Sequence, residues 1–137
     1  MTTWPATAHE LTRLQHALGE MTPERWQPPA TLTRIGACFV CFEPVHGAGA
    51  AGDRGFAGAA ITHRRRLLAG VTVSGPAGGP YLPTLLALRE GPLLEQAVRA
   101  LAIAPEVLVV NATGRDHPRR AGLALHSGRY WGCPRSG

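Results

Sequence analysis

The apolar residues of this chain are gathered into short runs, and the length and spacing of these runs constrain the fold more than any other sequence feature. Four runs have the length of buried strands: residues 34–42, 56–63, 67–73 and 106–110. Three other stretches repeat their apolar residues at helical spacing: residues 6–20, 84–101 and 116–127. The order helix, three strands, helix, strand, helix predicts an α/β layered fold.

The connections between these runs predict the topology. Arg64–Arg66 joins the second and third runs as a hairpin, so the first three strands form a meander, and the helical crossover makes the fourth strand parallel to an earlier one. Pro92 suits the first position of a helix, which predicts a break in the second helical stretch just after Glu90. The last helix is predicted to begin near Asp116, with Arg119 and Arg120 in its first turn.

The length and the apolar content limit the class of protein. We expect residues 1–137 to form a single domain, because a chain of this size supports one core. No apolar run reaches the roughly 18 residues that a membrane span needs, so we expect no membrane partner. The first residues lack the features of a secretory signal, which predicts a cytoplasmic location.

The charged residues are unusual in kind. The net charge is +5, and all 14 basic residues are arginine, a side chain that pairs well with phosphates and carboxylates. This favours nucleic acid or a small anionic ligand as the partner, although a general compositional bias explains the arginines equally well. The only aspartates are Asp53 and Asp116, so few acidic oxygens are available for a hard metal ion.

Four segments of the sequence, in order, resemble the endonuclease V family. They are the first strand ending at Glu43, the stretch Pro80-Tyr81-Leu82-Pro83, the pair Arg89-Glu90, and residues 109–120, which hold Asn111, Gly114 and His117-Pro118-Arg119-Arg120. The resemblance implies a ribonuclease H-like mixed sheet, with three antiparallel strands and a parallel fourth strand, flanked by helices. It also implies that residues 80–83 are the wedge loop that separates nucleic-acid strands, that Glu90 is a metal-site carboxylate, and that Gly114 belongs to the base pocket.

The sequence departs from the family pattern at two metal-site positions. The family's first aspartate corresponds to Phe39, or to Cys38 if the alignment is shifted by one residue, and its third carboxylate corresponds to Asn111. The family also continues well beyond the position of residue 137, so we expect a C-terminally shortened member. We therefore predict no cofactor, with Mg²⁺ bound only if the site around Glu90 is competent after all.

Two functional hypotheses follow, and the sequence leaves open whether the protein is an enzyme. In the first, the protein binds nucleic acid that contains deaminated bases, without metal-dependent cleavage. In the second, the cleft acts on a small anionic metabolite, with Glu90 as general acid or base, Asn111 as a hydrogen-bond donor, His117 as a proton relay, and Arg119 or Arg120 as the anion clamp.

The remaining candidate residues each have a structural alternative. Tyr81 either stacks on a base or packs its ring on the core, and His126 is either an acid–base group or a buried structural histidine. Cys38 and Cys41 should point to opposite faces of a strand, with Cys38 or Phe39 making the cleft drier and raising the pKa of Glu90. An exposed sheet edge favours a homodimer.

Overall fold

The computed structural model describes residues 3–43, 47 and 49–131, with side chains described up to residue 128. Within these residues the helices are α1 (Ala8–Glu20), α2 (Leu86–Arg99) and α3 (Leu123–Trp131). The strands are β1 (Ile35–Phe42), β2 (Arg54–His63), β3 (Arg66–Pro76) and β4 (Val107–Val110). None of the described helices is both long and apolar enough to cross a membrane.

The described strands form one mixed sheet in the order β3-β2-β1-β4. β2 pairs antiparallel with both β1 and β3, and only two residues, Arg64 and Arg65, connect β2 to β3. β4 lies parallel to β1, with Cys38 opposite Val110, because α2 carries the chain back across the sheet before β4 begins. The predicted fold, a meander of three strands with a parallel fourth strand, is confirmed.

The two faces of the sheet differ in what covers them. One face packs against helices α1, α2 and α3, and the shared core includes Leu11, Val40, Ala57, Leu94 and Leu123. β1 alternates regularly between this covered face and the opposite face, as the period of a strand requires. The opposite face is exposed in the described part of the chain and carries Phe39, Leu67 and Val109. Side chains that act together with the helices must therefore lie on the covered face.

Helix α2 runs through Pro92 without interruption, so the predicted break after Glu90 is wrong. Proline offers no N–H to the carbonyl four residues earlier, and this ordinarily breaks a helix. The carbonyl affected is that of Leu88, and in the same turn the backbone carbonyl of Arg89 accepts a hydrogen bond of 3.0 Å from the N–H of Gly78, a contact from outside the helix. Gly91 also lets the Trp4 ring pack directly on the helix, where a Cβ atom would overlap it. Glu90 consequently lies inside a continuous helix.

Helix α3 begins at Leu123, so the prediction that Arg119 and Arg120 lie in its first turn is wrong. Arg120 has a φ of +57°, a left-handed conformation that a right-handed helix cannot include. Its N–H instead donates to the carbonyl of His117 at 2.7 Å and closes a tight turn. The anion site expected at these two arginines therefore cannot include N–H groups of a first helical turn, and it stays a prediction that rests on the arginine side chains.

Candidate functional site

The wedge, residues 80–83, lies between the end of β3 and the start of α2. Its prolines at both ends restrict φ, so the loop has few conformations available. Tyr81 is 48% exposed and Leu82 is exposed beside it. The structural alternative for Tyr81, a ring packed on the core, is therefore not what the structure shows. A half-exposed aromatic ring on a restricted loop is available for stacking.

The backbone before the wedge pairs with a second loop, residues 49–53. Asp53 and Ala77 are joined by a hydrogen bond of 2.7 Å from the Ala77 N–H to the Asp53 carbonyl. The Gly52 N–H returns a bond of 3.1 Å to the Ala77 carbonyl, and the Tyr81 N–H donates to the Gly49 carbonyl at 3.2 Å. The two loops thus form a short ladder that ends at the wedge itself.

Arg89 is the side chain that joins these two loops, and it is almost fully buried. Its guanidinium donates to the carbonyls of Ala50 at 2.9 Å and Gly79 at 3.2 Å, and to the Asp53 carboxylate at 2.9 Å. Its Cζ atom lies 4.0 Å from the centroid of the Phe42 ring, a cation–π contact. The hydrogen bonds from Arg89 and from the Ala50 N–H hold the pKa of the Asp53 carboxyl below its ordinary value.

The other end of the wedge is fixed through Thr84, whose backbone carbonyl accepts from several side chains. His117 Nε2 lies 2.8 Å from this carbonyl, and the Arg119 N–H lies 3.0 Å from His117 Nδ1. Because Nδ1 accepts that backbone proton, Nε2 must carry the ring's own hydrogen and donate it to Thr84. His117 is thus a buried histidine whose two ring nitrogens both have hydrogen-bond partners. A proton-relay role for it stays a prediction and requires that one of these two bonds break.

Arg119 completes this second support and is not a free anion clamp. Its Nε donates to the side chain of Gln15 on α1 at 2.6 Å, and its Nη2 donates to Thr84 Oγ1 at 2.8 Å. Gln15 in turn donates to the Thr84 carbonyl at 3.0 Å. Arg120 is exposed, and its backbone carbonyl accepts a hydrogen bond of 3.5 Å from the Arg115 guanidinium. The predicted clamp therefore rests on Arg120 alone, since Arg119 is engaged.

The loop that carries Gly114 is fastened to the end of α1. The Arg115 guanidinium donates to the carbonyls of Leu18 and Gly19, each at 3.1 Å, and of Met21 at 2.8 Å, which are groups that a helix end leaves without partners. The Gly114 N–H donates to Asp116 at 2.7 Å. His126, on α3, is fully buried, in keeping with its structural alternative.

Cys38 on β1 and Glu90 on α2 lie near each other on the covered face of the sheet, and the region around these two side chains is called the Glu90 cleft below. Burial raises the pKa of the Glu90 carboxyl, an effect that the Arg89 charge partly offsets. Burial, reinforced by the charge of Glu90, raises the pKa of the Cys38 thiol to about 12. Cys38 is 7% exposed while Phe39 is 62% exposed on the other face. Of the two positions left open by the sequence, Cys38 is the one that faces Glu90.

Asn111 directly follows β4 and is exposed, at the strand end where Val110 pairs with Cys38. Among the described residues, the predicted site groups near this region are the Glu90 carboxyl and the Cys38 thiol, with Asn111 at the neighbouring strand end. Across the described ranges, no group of three or more His, Cys, Asp or Glu side chains is arranged to hold a metal ion. Cys41 lies on the opposite face from Cys38, as predicted, and both are free thiols.

Sequence reasoning missed Arg89, Asp53, Thr84 and Arg115, the residues that support the wedge and its neighbouring loop. Arg89 stands next to Glu90 in the sequence, but its partner Asp53 is 36 residues away. No local pattern links the two. The scarcity of aspartate was the one available signal, because a chain with only two aspartates has few partners for a buried arginine.

The amino-acid sequence is similar to known endonuclease V proteins. The family model for endonuclease V matches residues 44–137. The endonuclease V of Myxococcus xanthus is 31% identical over 140 residues, which covers 98% of this chain and 55% of the relative. The chain therefore spans about half the length of the curated relatives that it matches.

Solved structures give the same similarity in three dimensions. The crystal structure of endonuclease V from Streptomyces avermitilis superimposes with a TM-score of 0.80 at 33% identity, covering 96% of this chain and 56% of that one. Endonuclease V from Ciona intestinalis, crystallised with a 24mer DNA containing an inosine, has a TM-score of 0.74 at 18% identity, covering 91% and 54%. The fold that these proteins share is ribonuclease H-like.

Proposed function

Because the chain belongs to the endonuclease V family, we propose that it binds nucleic acid containing deaminated bases through its wedge, without metal-dependent cleavage at Glu90. The observation that carries the proposal is the exposed Tyr81 ring on a loop whose backbone is fixed on both sides. Stacking of a base on an aromatic ring contributes about 1–3 kcal/mol. The net charge of +5 adds a general attraction for phosphates. The Ciona intestinalis endonuclease V, which has a similar fold, was crystallised in complex with inosine-containing DNA.

The absence of cleavage is proposed from the donor groups in the cleft. Mg²⁺ prefers several hard oxygen ligands and gives up its water molecules reluctantly. Glu90 supplies one carboxylate with a raised pKa, Cys38 supplies a thiol that stays protonated at neutral pH, and Asn111 supplies a neutral amide. These residues do not fit a magnesium site.

One observation favours a second candidate, metal-independent chemistry on a small anionic molecule. A half-buried carboxyl with a raised pKa, such as Glu90, is suited to general acid–base work. The proposed assistants fit less well, since His117 and Arg119 are engaged at Thr84. Nucleic-acid binding therefore has the stronger support.

The test is binding of a labelled single strand that contains one inosine, measured by fluorescence anisotropy at low and at physiological salt. Tyr81→Ala should raise the Kd by roughly 5- to 100-fold, while Tyr81→Phe, which keeps the ring, should bind like the unmodified protein. Binding should also weaken steeply with salt. If the unmodified protein shows no binding at low salt, the binding proposal fails.

A cleavage assay tests the other half of the proposal. The same strand and its duplex are incubated with the protein and Mg²⁺ or Mn²⁺, and the products are separated on a denaturing gel. We expect intact strands. Nicking that disappears in Glu90→Gln would show that the cleft still supports metal-dependent hydrolysis and would overturn this half.

A further inference from the structure

We propose that Arg89 and Asp53 are positioning residues for the wedge: their buried ion pair holds the preceding backbone so that Tyr81 is presented before any ligand arrives. The inference rests on the proposed function only for its consequence in binding. Its structural part, that the ion pair keeps the wedge closed against local opening, stands independently.

Arg89 is surrounded by acceptors that come from two different loops. Its guanidinium reaches the Ala50 carbonyl, the Gly79 carbonyl and the Asp53 carboxylate, so one side chain bridges the two loops. The guanidinium divides these contacts between two nitrogens, Nη1 for the two carbonyls and Nη2 for the carboxylate, whereas a lysine ammonium has all its donors on one nitrogen. Arg89 is itself anchored, since it belongs to α2 and stacks on Phe42.

Gly49 connects the Arg89 guanidinium to the wedge. Gly49 has a φ of +97°, and a Cβ atom there would lie 2.9 Å from the guanidinium carbon, so glycine permits the close approach of this loop. The carbonyl of Gly49 then accepts the Tyr81 N–H at 3.2 Å. Asp53 orders the same loop from its other end, accepting the Ala50 N–H at 2.7 Å. The position of the Tyr81 backbone thus depends on a loop that Arg89 and Asp53 hold.

A loop that is already ordered before binding gives tighter binding. A loop that must be ordered on binding loses part of its interaction free energy to that ordering, whereas a rigid loop does not. The prolines at both ends limit φ within the wedge, but they do not fix its direction relative to the sheet. The ion pair supplies that direction.

The experiment uses chymotrypsin, which cleaves after Tyr81 when the wedge opens. Asp53→Asn should increase the rate of this cleavage about tenfold, while the far-ultraviolet circular dichroism spectrum remains that of the folded protein. Glu106→Gln is the matched control, because Glu106 also accepts backbone N–H groups, of Thr33 and Arg34, and pairs with an arginine, but at the start of β4, away from the wedge. We expect this control to leave the cleavage rate unchanged.

The binding readout is a double-mutant cycle with the inosine-containing strand. Asp53→Asn should raise the Kd about tenfold, and Tyr81→Ala should have little further effect in that background, because a misdirected ring no longer stacks. Arg89→Lys should behave like Asp53→Asn, which provides a second variant if one of them fails to fold.

The outcomes separate the two proposals. Unchanged cleavage after Tyr81 in both Asp53→Asn and Arg89→Lys overturns the positioning role, whatever the binding data show. Faster cleavage in a protein that never binds the strand supports the positioning role and rejects the proposed function. Additive effects of Asp53→Asn and Tyr81→Ala on the Kd also count against positioning, since independent residues give additive free energies.

Discussion

The supports of the wedge and the Glu90 cleft lie side by side on α2, yet they are built in opposite ways. On one side the guanidinium of Arg89 has hydrogen-bond partners in two loops and a cation–π contact with an aromatic ring. On the other side Glu90 has a neutral thiol as its neighbour and a raised pKa. Of these two adjacent residues of α2, Arg89 therefore lies among groups that pair with its charge, whereas Glu90 lies in a region with few charges.

The difference shows that a scaffold and a metal site depend on different things. The sheet and α2 are held by backbone pairing and apolar packing, which tolerate a thiol in place of a carboxylate because the two are similar in size. A hard cation, in contrast, depends on the number of charged oxygens. A chain can therefore keep the family fold, as the TM-score of 0.80 indicates, independently of the ligands that one cleft supplies.

The largest expected effect is a loss of folding stability when Arg89, which links the two loops that support the wedge, is removed. Arg89→Ala should lower the free energy of unfolding by about 3–5 kcal/mol, because it leaves Asp53 and two carbonyls without their buried partner. Urea denaturation followed by circular dichroism measures this change. The control is Arg54→Ala, an exposed arginine whose contact with Glu43 spans 3.9 Å and should contribute at most about 1 kcal/mol. If both variants lost the same free energy of unfolding, the buried contacts of Arg89 would contribute no more to stability than an exposed arginine does.

An intermediate effect is expected from restoring a carboxylate to the cleft. Cys38→Asp should lower the melting temperature without added metal, because a second buried carboxylate then faces Glu90. Mn²⁺ should raise the melting temperature of this variant again, since binding to the folded state stabilises it. Cys41→Asp, the same change on the exposed face of β1, should show neither effect. A manganese response in the unmodified protein would mean that the cleft is not short of ligands.

The smallest effect concerns pH. The pKa of Glu90 is raised on folding, so the folded protein binds more protons than the unfolded chain in the interval between the ordinary value of 4.5 and the raised value. Stability contributed by protonated Glu90 is therefore lost as the pH rises through that interval, and Glu90→Gln should remove this part of the slope. The pKa of Glu106 is lowered, chiefly by hydrogen bonds from the backbone of Thr33 and Arg34, so Glu106→Gln should change the slope with the opposite sign.

Urea midpoints measured at several pH values would reveal these slopes. The effect is small because Glu90 is only partly removed from water, and solvent screens what remains. A slope in Glu90→Gln equal to that of the unmodified protein would show that the cleft is better hydrated than its burial indicates.

The sequence by itself determined the order of helices and strands, the parallel fourth strand, the opposite faces of Cys38 and Cys41, and the family. Each of these depends on periodicity or on motifs within short stretches, where the backbone geometry is a local property. A shortage of carboxylates near Glu90 stays a prediction, made from residue types alone.

Only the tertiary structure decided that Cys38 rather than Phe39 faces Glu90, that α2 continues through Pro92, and that Arg119 is engaged before α3 begins. Arg89 meets Asp53 across 36 residues, and Arg119 meets Gln15 across 104. Such partners are chosen by which segments the folded sheet brings together. A local pattern holds no information about them, because the free energy of each contact depends on burial that exists only after the whole chain has packed.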